Sequence, residues 1–506
     1  CLLCPALAET LPEEALPALT LAVTGDIKGY QPNTITVNAT FAGELSLSLS
    51  DALGTQARAI VTDQAATVGE NVVTFDGLGE NEEKLIEGDY VLSATLSSDA
   101  RAVTASLKVK VGRCKQALVF ALPSAKTLYL GDEDPWFAEV RLVRPGKLCT
   151  AFYRGNETTP FATKTKEITG YKIIEYSWDG VVSGTTLTAG EYRLVFWAEE
   201  NESYKVEIPV TICEGKRPAA PIVLTETYLP ERGASDAEIW AIMQAPATVV
   251  TLKAVSHQKV YDQPSKLGHS LGTLHGQSQT VNVLEVRQDG WAKVGAFEHE
   301  DGAYIEGYVP CDRLQTVETE SDYGLLLDKK EQTLSLYYKG EKLDTLLIST
   351  GMVAKNKLFQ ETAAGVFFTD KHMADFSTNG NNYDYVIRYD GGNLLHQTAY
   401  RMKNGMRDFT AAAALLGTKA SHGCVRIQQT PGAGGINAYW LWTHIPYRTK
   451  VIILDDQEER ESQRAAVTAG KSVVTVTPEV ATPADLSLGE TELTLTFGGD
   501  AVLGTR

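Results

Sequence analysis

The chain has 506 residues, 43% of them hydrophobic and 22% charged, which predicts a globular protein of roughly three to five domains. Its net charge of −18 and its pI near 5.0, with no long Lys/Arg run, argue against a nucleic-acid partner, because phosphate charge would be repelled. The sequence as given has no apolar run of about 18 residues, so it predicts no membrane-spanning helix.

Residues 1–8 are interpreted as the remnant of a signal peptide. They end in Ala6-x-Ala8, which fits the small-residue rule for signal-peptide cleavage. An ordinary N-terminal tail is one alternative. A lipoprotein that begins at Cys1 is another, and it would give the protein a membrane tether at its N-terminus. The first interpretation predicts an exported protein.

Residues 17–113 (module 1) and 114–214 (module 2) contain short strands of alternating polarity, a pattern typical of an all-β sandwich. In both modules an Asp-Gly turn, at Asp76 or Asp179, precedes a strand that opens with Gly, an acidic residue and Tyr. This signature resembles the end of immunoglobulin-like modules in bacterial surface proteins. We therefore expect two such sandwiches, duplicated and serving as a spacer; a coincidental pair of turns is the alternative.

The seven cysteines lack the spacing of a zinc site. An odd number leaves at least one thiol free in an exported protein, or one intermolecular bond. Cys114 and Cys213 flank module 2, and a disulfide between them is one option.

Residues 215–246 read as a linker with a short helix near Ala234 to Met243. Residues 247–318 (module 3) contain Asp-Gly-Trp-Ala-Lys-Val from Asp289 and Gly-Tyr-Val from Gly307. Each fragment is a short strand closed by a tight turn, as a small barrel needs. The pair resembles bacterial SH3-like domains, so we expect one SH3-like barrel that binds the cell wall or acts as a spacer.

Four histidines lie in module 3: His257, His269, His275 and His299. No helical spacing and no Cys/His ligand spacing accompanies them. They are interpreted as scattered surface or turn residues, and no metal is predicted.

Residues 322–456 (the C-terminal domain) carry the side chains suited to chemistry. A thiol is a nucleophile only as thiolate, so it needs a base for its proton and donors for the oxyanion. Cys424 follows Gly423, where the backbone can turn tightly and expose its amides. His396 ends an apolar strand-like run and is the expected base. Arg426 shares the face of Cys424 in an extended segment and offers a fixed positive charge.

A lone cysteine and a lone histidine would be read as an inert thiol and a core histidine. The octet Ala-Ser-His-Gly-Cys-Val-Arg-Ile at 420–427 favours the catalytic interpretation, because it resembles the active-site signature of the L,D-transpeptidase catalytic domain. The resemblance extends to the Thr-x-x-Gly-Val-Phe segment from Thr362 and to the Trp…Pro-Tyr-x-Thr-x-Val segment that ends the domain.

This resemblance implies a mainly β, multidomain protein with a β-rich catalytic domain that works as a cysteine acyltransferase in a bacterial cell wall. Cys424 would attack a peptidoglycan tetrapeptide stem, release D-Ala and form a 3→3 cross-link, with His396 as base. Ser421, His422 and Gly423 would shape the oxyanion site, and Arg426 would support the loop or substrate. No cofactor is implied, and carbapenem β-lactams are expected to acylate Cys424.

Two other functions stay open: an L,D-carboxypeptidase that uses water with the same cysteine, and a non-catalytic wall-binding protein. The sequence also departs from the family pattern. The spacing from His396 to Cys424 is long, with a polar insertion at 401–410 that is a candidate lid, and Gln397 stands where Gly or Ser is common.

Residues 457–490 are charged and then Thr/Val/Pro-rich, which predicts a linker. Residues 491–506 resemble the first strand and Gly-Asp turn of capsule-synthesis-type metallophosphoesterases, with Asp500 at the position of a metal ligand. They are interpreted as the start of a further domain, and a hydrophobic β tail is the alternative. Asp500 alone would not hold a metal.

Overall fold

The computed structural model describes residues 18–469, apart from 52–55, 83, 100, 113, 115, 134, 170–172, 252–255, 320, 354–359 and 404–405. The predicted signal-peptide remnant at 1–8, most of the linker predicted at 457–490 and the further domain predicted at 491–506 lie outside the described residues.

Module 1 is a sandwich of two sheets around one apolar core. Its strands are β1 Leu19–Val23, β2 Asn33–Ala39, β3 Gly43–Asp51, β4 Gln56–Ala66, β5 Gly69–Phe75, β6 Gly88–Ser98 and β7 Arg101–Val111. One sheet has the order β1-β2-β5 and the other β4-β3-β6-β7. Alternate side chains of β2 and β3 are buried, which is the pattern expected of strands with one face on a core.

Module 2 repeats this topology with ten strands. They are β8 Val119–Pro123, β9 Thr127–Tyr129, β10 Trp136–Leu142, β11 Gly146–Arg154, β12 Ala162–Ile168, β13 Ile173–Trp178, β14 Val181–Val182, β15 Thr185–Thr186, β16 Gly190–Ala198 and β17 Val206–Cys213. The orders β13-β10-β8 and β12-β11-β16-β17-β9 match those of module 1, with β9 added. The parallel β9–β17 pair corresponds to the single parallel bridge Ile27–Val111 of module 1.

The repeated turn has the same geometry in both modules. The side chains of Asp76 and Asp179 each accept the amide two residues further on, at 3.0 Å in both. The glycine in between adopts a left-handed conformation, with φ of 76° and 80°. Tyr90 and Tyr192 are buried near the start of β6 and β16, respectively. Shared topology and shared turn geometry support the predicted duplication, whereas the immunoglobulin-like assignment stays a prediction.

The helix predicted near 234–243 is present as α1, Asp236–Gln244. Ser235 caps it in a capping box with Glu238. Its buried residues Ile239 and Met243 pack on the C-terminal domain, and the carbonyl of Ile242 accepts Lys450 Nζ at 2.9 Å. The predicted linker is thus attached to the C-terminal domain along this helix.

Module 3 is a single sheet of seven strands with its own core. The strands are β18 Ala247–Val250, β19 His257–Tyr261, β20 Ser270–His275, β21 Thr280–Val286, β22 Trp291–Phe297, β23 Tyr304–Pro310 and β24 Leu314–Val317, with a 3-10 turn at Cys311–Arg313. Their order is β20-β19-β23-β22-β21-β18-β24. The SH3-like assignment stays a prediction.

The C-terminal domain is built on a nine-stranded sheet of order β28-β37-β25-β26-β27-β36-β33-β32-β29. The strands are β25 Tyr323–Asp328, β26 Thr333–Tyr338, β27 Glu341–Ser349, β28 Gly365–Phe368, β29 His372–Met373, β30 Phe376–Thr378, β31 Asn381–Tyr383, β32 Val386–Asp390, β33 Asn393–Gln397, β34 Arg401–Lys403, β35 Met406–Asp408, β36 Val425–Ile427 and β37 Lys450–Leu454. The helices α2 Thr410–Ala413 and α3 Ala438–His444 complete the domain.

Residues 457–468 form helix α4, Gln457–Thr468, where the sequence predicted a linker. Arg460 is buried and donates to the Gly302 carbonyl, and Arg464 pairs with Glu361 at 3.0 Å. These contacts fix α4 between module 3 and the C-terminal domain, so the charged composition of this stretch reflects a docked helix. Within the described ranges, no helix is long and apolar enough to cross a membrane.

Both N-terminal modules also contact the C-terminal domain. In module 2, Glu139 pairs with His372 Nδ1 at 2.7 Å, and Phe120 packs edge-on against Trp442 with ring centroids 5.6 Å apart. In module 1, the Tyr30 hydroxyl bonds that of Tyr439 at 2.7 Å. The predicted spacer is therefore packed along the C-terminal domain.

Candidate active site

Cys424 lies one residue before β36 and is half-buried. It is a free thiol, as are the other described cysteines, Cys114, Cys149, Cys213 and Cys311. The suggested Cys114–Cys213 disulfide is therefore wrong. Cys213 ends β17, which pairs with β9. Cys114 lies in the connection that enters β8, and its carbonyl accepts a hydrogen bond from Arg144.

His396 lies on β33, the strand next to β36. The two strands run parallel, with Leu395 opposite Val425 and His396 opposite Arg426. Because residues opposite each other in a parallel pair share a face, His396 and Arg426 lie on one face of the sheet, and Cys424 directly precedes β36. The Leu394 backbone lies near enough to the Cys424 thiol to lower its pKa. The imidazole expected to act with the thiol thus lies on the strand next to β36, and Cys424 lies one residue before β36.

The orientation of the His396 ring is fixed by its own strand. Its Nδ1 lies 2.7 Å from the Gln397 carbonyl, so Nδ1 carries the proton and Nε2 is the acceptor. Tyr383 packs edge-on against the ring at 5.0 Å between centroids, and Phe376 at 6.2 Å. The Gln397 side chain points to the opposite face, so its backbone, not its side chain, orients the imidazole.

Electrostatics keep both groups neutral at rest. Burial, together with a smaller effect of the nearby Arg426 charge, lowers the pKa of His396 to about 4, against the raising effect of the Gln397 backbone. Burial also raises the pKa of the Cys424 thiol, against smaller lowering effects of the Leu394 backbone and Arg426. A resting thiolate–imidazolium pair is therefore disfavoured, and the thiolate has to form by proton transfer during the reaction.

The loop before Cys424 is held by its own hydrogen bonds. The Gly423 amide donates to Ser421 Oγ at 3.2 Å, and Ser421 Oγ donates to the Cys424 carbonyl. His422 is exposed to solvent. The Gly423 amide, expected to point at an oxyanion, is thus already paired in this structure. The oxyanion role of Ser421, His422 and Gly423 stays a prediction.

Gly423 is required by its surroundings. Its φ is 115°, and a Cβ at this position would overlap Asn393 Oδ1. Its carbonyl accepts the Thr362 hydroxyl at 2.8 Å, and Thr362 Oγ1 accepts the Gly351 amide at 2.9 Å. Sequence reasoning missed Asn393 and Thr362 as supports of the loop. Thr362 has a sequence signal, since it opens the Thr-x-x-Gly-Val-Phe segment.

The insertion at 401–410 forms the hairpin β34–β35 and the start of α2. Its base is joined to the β30–β31 hairpin that covers His396, through the paired backbones of Tyr400 and Asn382. Arg407 pairs with the buried Asp384 at 3.0 Å and lies over the Tyr400 ring. The insertion is thus an anchored rim beside His396, and its function as a lid stays a prediction.

A cavity of about 480 Å³ lies between module 1 and the C-terminal domain. Gln397, Arg407 and Tyr439 line it, together with Asp26 and Lys110 of module 1. Neither Cys424 nor His396 contributes to its wall. The candidate reaction centre is therefore elsewhere.

The histidines of module 3 are not scattered as expected. His257, His275 and His299 come together, whereas His269 lies apart and exposed. Burial lowers the pKa of His257 and His299, and the neighbouring His275 lowers it further. Sequence spacing missed the cluster because its members come from β19, β20 and the loop after β22.

Residues 322–453, nearly all of the C-terminal domain, match the family model YkuD, the L,D-transpeptidase catalytic domain. The protein named "Putative L,D-transpeptidase YciB", from Bacillus subtilis (strain 168), is 29% identical over 129 residues. That alignment covers 24% of this chain and 61% of the relative.

Two solved structures are similar at lower identity. An L,D-transpeptidase from Mycobacterium smegmatis is 13% identical, with 41% of this chain and 99% of that chain covered and a TM-score of 0.21. LdtMt1 in complex with imipenem is 11% identical, with 42% and 100% covered and a TM-score of 0.22. The family match and the Bacillus subtilis relative support an L,D-transpeptidase catalytic domain at residues 322–453 of this chain.

Proposed function

We propose that the protein is an exported bacterial cell-wall enzyme that forms 3→3 peptidoglycan cross-links by cysteine acyl transfer. The observation that carries this proposal is that a free thiol, Cys424, directly precedes β36, the strand that pairs in parallel with the strand of His396. The domain match at residues 322–453 supports the reaction class.

In the proposed first step, Cys424 Sγ attacks the carbonyl carbon between the third residue of a tetrapeptide stem and its terminal D-Ala. His396 Nε2 takes the thiol proton and gives it to the leaving nitrogen, so D-Ala departs as an amine and a thioester remains. The neutral resting pair supports this sequence, because the low pKa of His396 favours its return to the neutral form.

In the second step, an amine on the third residue of another stem attacks the thioester carbonyl. His396 takes a proton from that amine and returns it to the sulfur, which leaves as the thiol. Arg426, opposite His396 in register, would offer its positive charge to a substrate carboxylate. Ser421, His422 and Gly423 would support the oxyanion after the loop rearranges.

The test incubates the full chain with disaccharide-tetrapeptide stems and identifies products by mass spectrometry. We expect cross-linked dimers and free D-Ala from the wild type and none from Cys424→Ala. Tripeptide without dimers would show an L,D-carboxypeptidase, in which water replaces the acceptor amine.

Carbapenem treatment tests the nucleophile separately. We expect one drug mass to be added to the intact wild-type protein and none to Cys424→Ala. A wild-type protein that neither gains this mass nor converts the stems would be a non-catalytic wall-binding protein.

A further inference from the structure

The strongest cluster of unassigned ligand-type side chains is formed by His257, His275 and His299 of module 3. One ring nitrogen from each lies within 4.8 Å of the others. The ring centroids are 4.8 Å apart for His257–His275, 4.8 Å for His257–His299 and 3.9 Å for His275–His299. Such close imidazoles need either stacking alone or a shared ion to hold them.

The backbone brings these rings together from three directions. His257 opens β19 and is directly opposite His275, the last residue of β20. The amide of His299, in the loop after β22, donates to the Thr273 carbonyl at 2.9 Å. The loop itself is ordered by the buried Glu298, which accepts the amides of Glu300 and Gly302. The three side chains are therefore carried by paired backbone.

We propose that His257, His275 and His299 bind a divalent first-row transition metal, with Zn²⁺ as the fitting ion, and that this site joins module 3 to the catalytic domain. Imidazole nitrogens suit such ions, and three histidines with one open position form a known type of zinc coordination. Zn–N bonds of about 2.0–2.1 Å bring tetrahedral ligands to within about 3.4 Å of each other. The ring nitrogens, now within 4.8 Å of one another, would have to approach each other by at most about 1.4 Å.

The second observation that supports a metal is the carboxylate behind the central histidine. His275 Nδ1 bonds Asp390 of the catalytic domain, and both side chains are buried. Metal-bound histidines commonly donate their other ring N–H to a carboxylate, which fixes the tautomer and increases ligand basicity. This bond leaves His275 Nε2 for the ion. Gly391 lies so close that a Cβ there would overlap the His275 ring, so the ring is confined.

One side of the site is open. His257 is exposed and His299 partly exposed, whereas His275 is buried. Water can therefore reach the ion and occupy the position that three protein ligands leave vacant.

Asp390 also connects the cluster to the loop of Cys424. Its Oδ2 accepts Asn393 Nδ2 at 3.2 Å, and Asn393 lies against Gly423. An ion at the three histidines would hold the β32–β33 turn through Asp390, and so would hold the support of the catalytic loop. The inference is independent of whether the enzyme uses an amine or water as acceptor.

The test titrates the chelator-treated, fully reduced full chain with Co²⁺ and records visible absorption. We expect one equivalent to bind with the d–d bands of a four- or five-coordinate ion. Cys424→Ala should give the same spectrum, since a thiolate ligand would add an intense near-ultraviolet charge-transfer band that imidazole does not give.

Variants then assign the ligands. Asp390→Asn should weaken binding on the order of 10- to 100-fold, the range for a lost partner of a metal-bound histidine. His257→Ala and His299→Ala should weaken it more. His269→Ala, an exposed histidine of the same module outside the cluster, should bind Co²⁺ as the wild type does. Circular dichroism of each variant establishes that it is folded. Because His257 is exposed to solvent, His257→Ala is the variant expected to disturb folding least.

Thermal unfolding in the presence of Zn²⁺ gives a readout that does not depend on catalysis. Because a ligand that binds only the folded state stabilises it, Zn²⁺ should raise the Tm of the wild type and of His269→Ala but not of His257→Ala. Absence of saturable Co²⁺ binding, or binding unchanged in His257→Ala and His299→Ala, would overturn the proposal and leave three closely packed imidazole rings that bind no metal.

Discussion

The Cys424–His396 pair and the histidine cluster of module 3 are built in different ways. The pair belongs to adjacent strands of one sheet within one domain. In the sequence, the contiguous octet 420–427 identifies Cys424 but does not contain His396. The cluster draws on two strands and a loop of another sheet and is completed by Asp390 from the catalytic domain. Both meet at the β32–β33 hairpin, which carries Asp390 at its turn and His396 further along.

The difference shows what each kind of site asks of the chain. A reacting pair needs fixed geometry, so it uses strands already paired by backbone hydrogen bonds. A cluster at a junction depends on how two modules dock, and its members have no reason to follow a sequence spacing. The predictions below separate these two roles, from the largest effect to the smallest.

Loss of the base should have the largest effect. His396→Ala is expected to lower kcat for dimer formation by about 10²–10⁴-fold, the usual contribution of a positioned general base. The rate of carbapenem adduct formation should fall in parallel, while Co²⁺ binding at the cluster is retained. His269→Ala is the matched control and should keep wild-type rates. Activity of His396→Ala within a few-fold of wild type would remove His396 from the mechanism.

The second-largest effect is expected from Gly423→Ala, which adds a single methyl group to the loop before Cys424. In Gly423→Ala the new Cβ meets Asn393 at a positive φ, so the loop has to shift and activity should fall on the order of 10²-fold. The strain should also cost about 1–3 kcal/mol of unfolding free energy. Gly392→Ala is the control, because a Cβ there meets open space. Equal kinetics for the two variants would show that Asn393 does not confine the loop.

A third buried histidine distinguishes pairing from metal binding. His372 bonds Glu139 much as His275 bonds Asp390, but without further imidazoles as partners in the described structure. Glu139→Gln should lower the unfolding free energy by about 1–3 kcal/mol, as expected when a buried polar partner is altered. Urea unfolding measures this, and added Zn²⁺ should not change the difference.

The control for that experiment lies beside it. Lys371 of the C-terminal domain pairs with Glu175 of module 2, the module that also carries Glu139, and both side chains are largely exposed. Glu175→Gln should therefore change stability by less than about 1 kcal/mol. A larger loss from Glu175→Gln than from Glu139→Gln would contradict the assignment of the buried pair as the main polar contact of this interface.

The smallest expected effect is a shift in the pH dependence of the acylation rate. His396 works as a base only when neutral, and its pKa of about 4 keeps it neutral above that pH. Carbapenem acylation should therefore rise through about pH 4 and stay flat through neutrality, because the raised pKa of Cys424 prevents thiolate formation there. A limb near the ordinary histidine value of 6.5 would show that the ring is more solvated than its burial indicates.

Local patterns in the sequence predicted the elements that depend on local chemistry. Alternation gave the strands of modules 1 and 2, Asp76 and Asp179 marked the repeated turns, and Cys424 was identified from its motif. Tertiary contacts decided the rest. Charged residues 457–468 suggested a linker because Arg460 and Arg464 find their partners only in the folded protein. Asn393 contacts Gly423, and the cluster histidines contact one another, across sequence separations that no spacing rule describes.

The protonated resting state of Cys424 has a consequence for durability. Peroxide and other oxidants react with the thiolate and convert it through sulfenic acid to irreversible products. A sulfur that burial holds as the thiol reacts slowly with them until a substrate and His396 remove its proton. In the exported enzyme that we propose, beyond the reducing cytosol, this burial would preserve the nucleophile between turnovers at the expense of a ready-made thiolate.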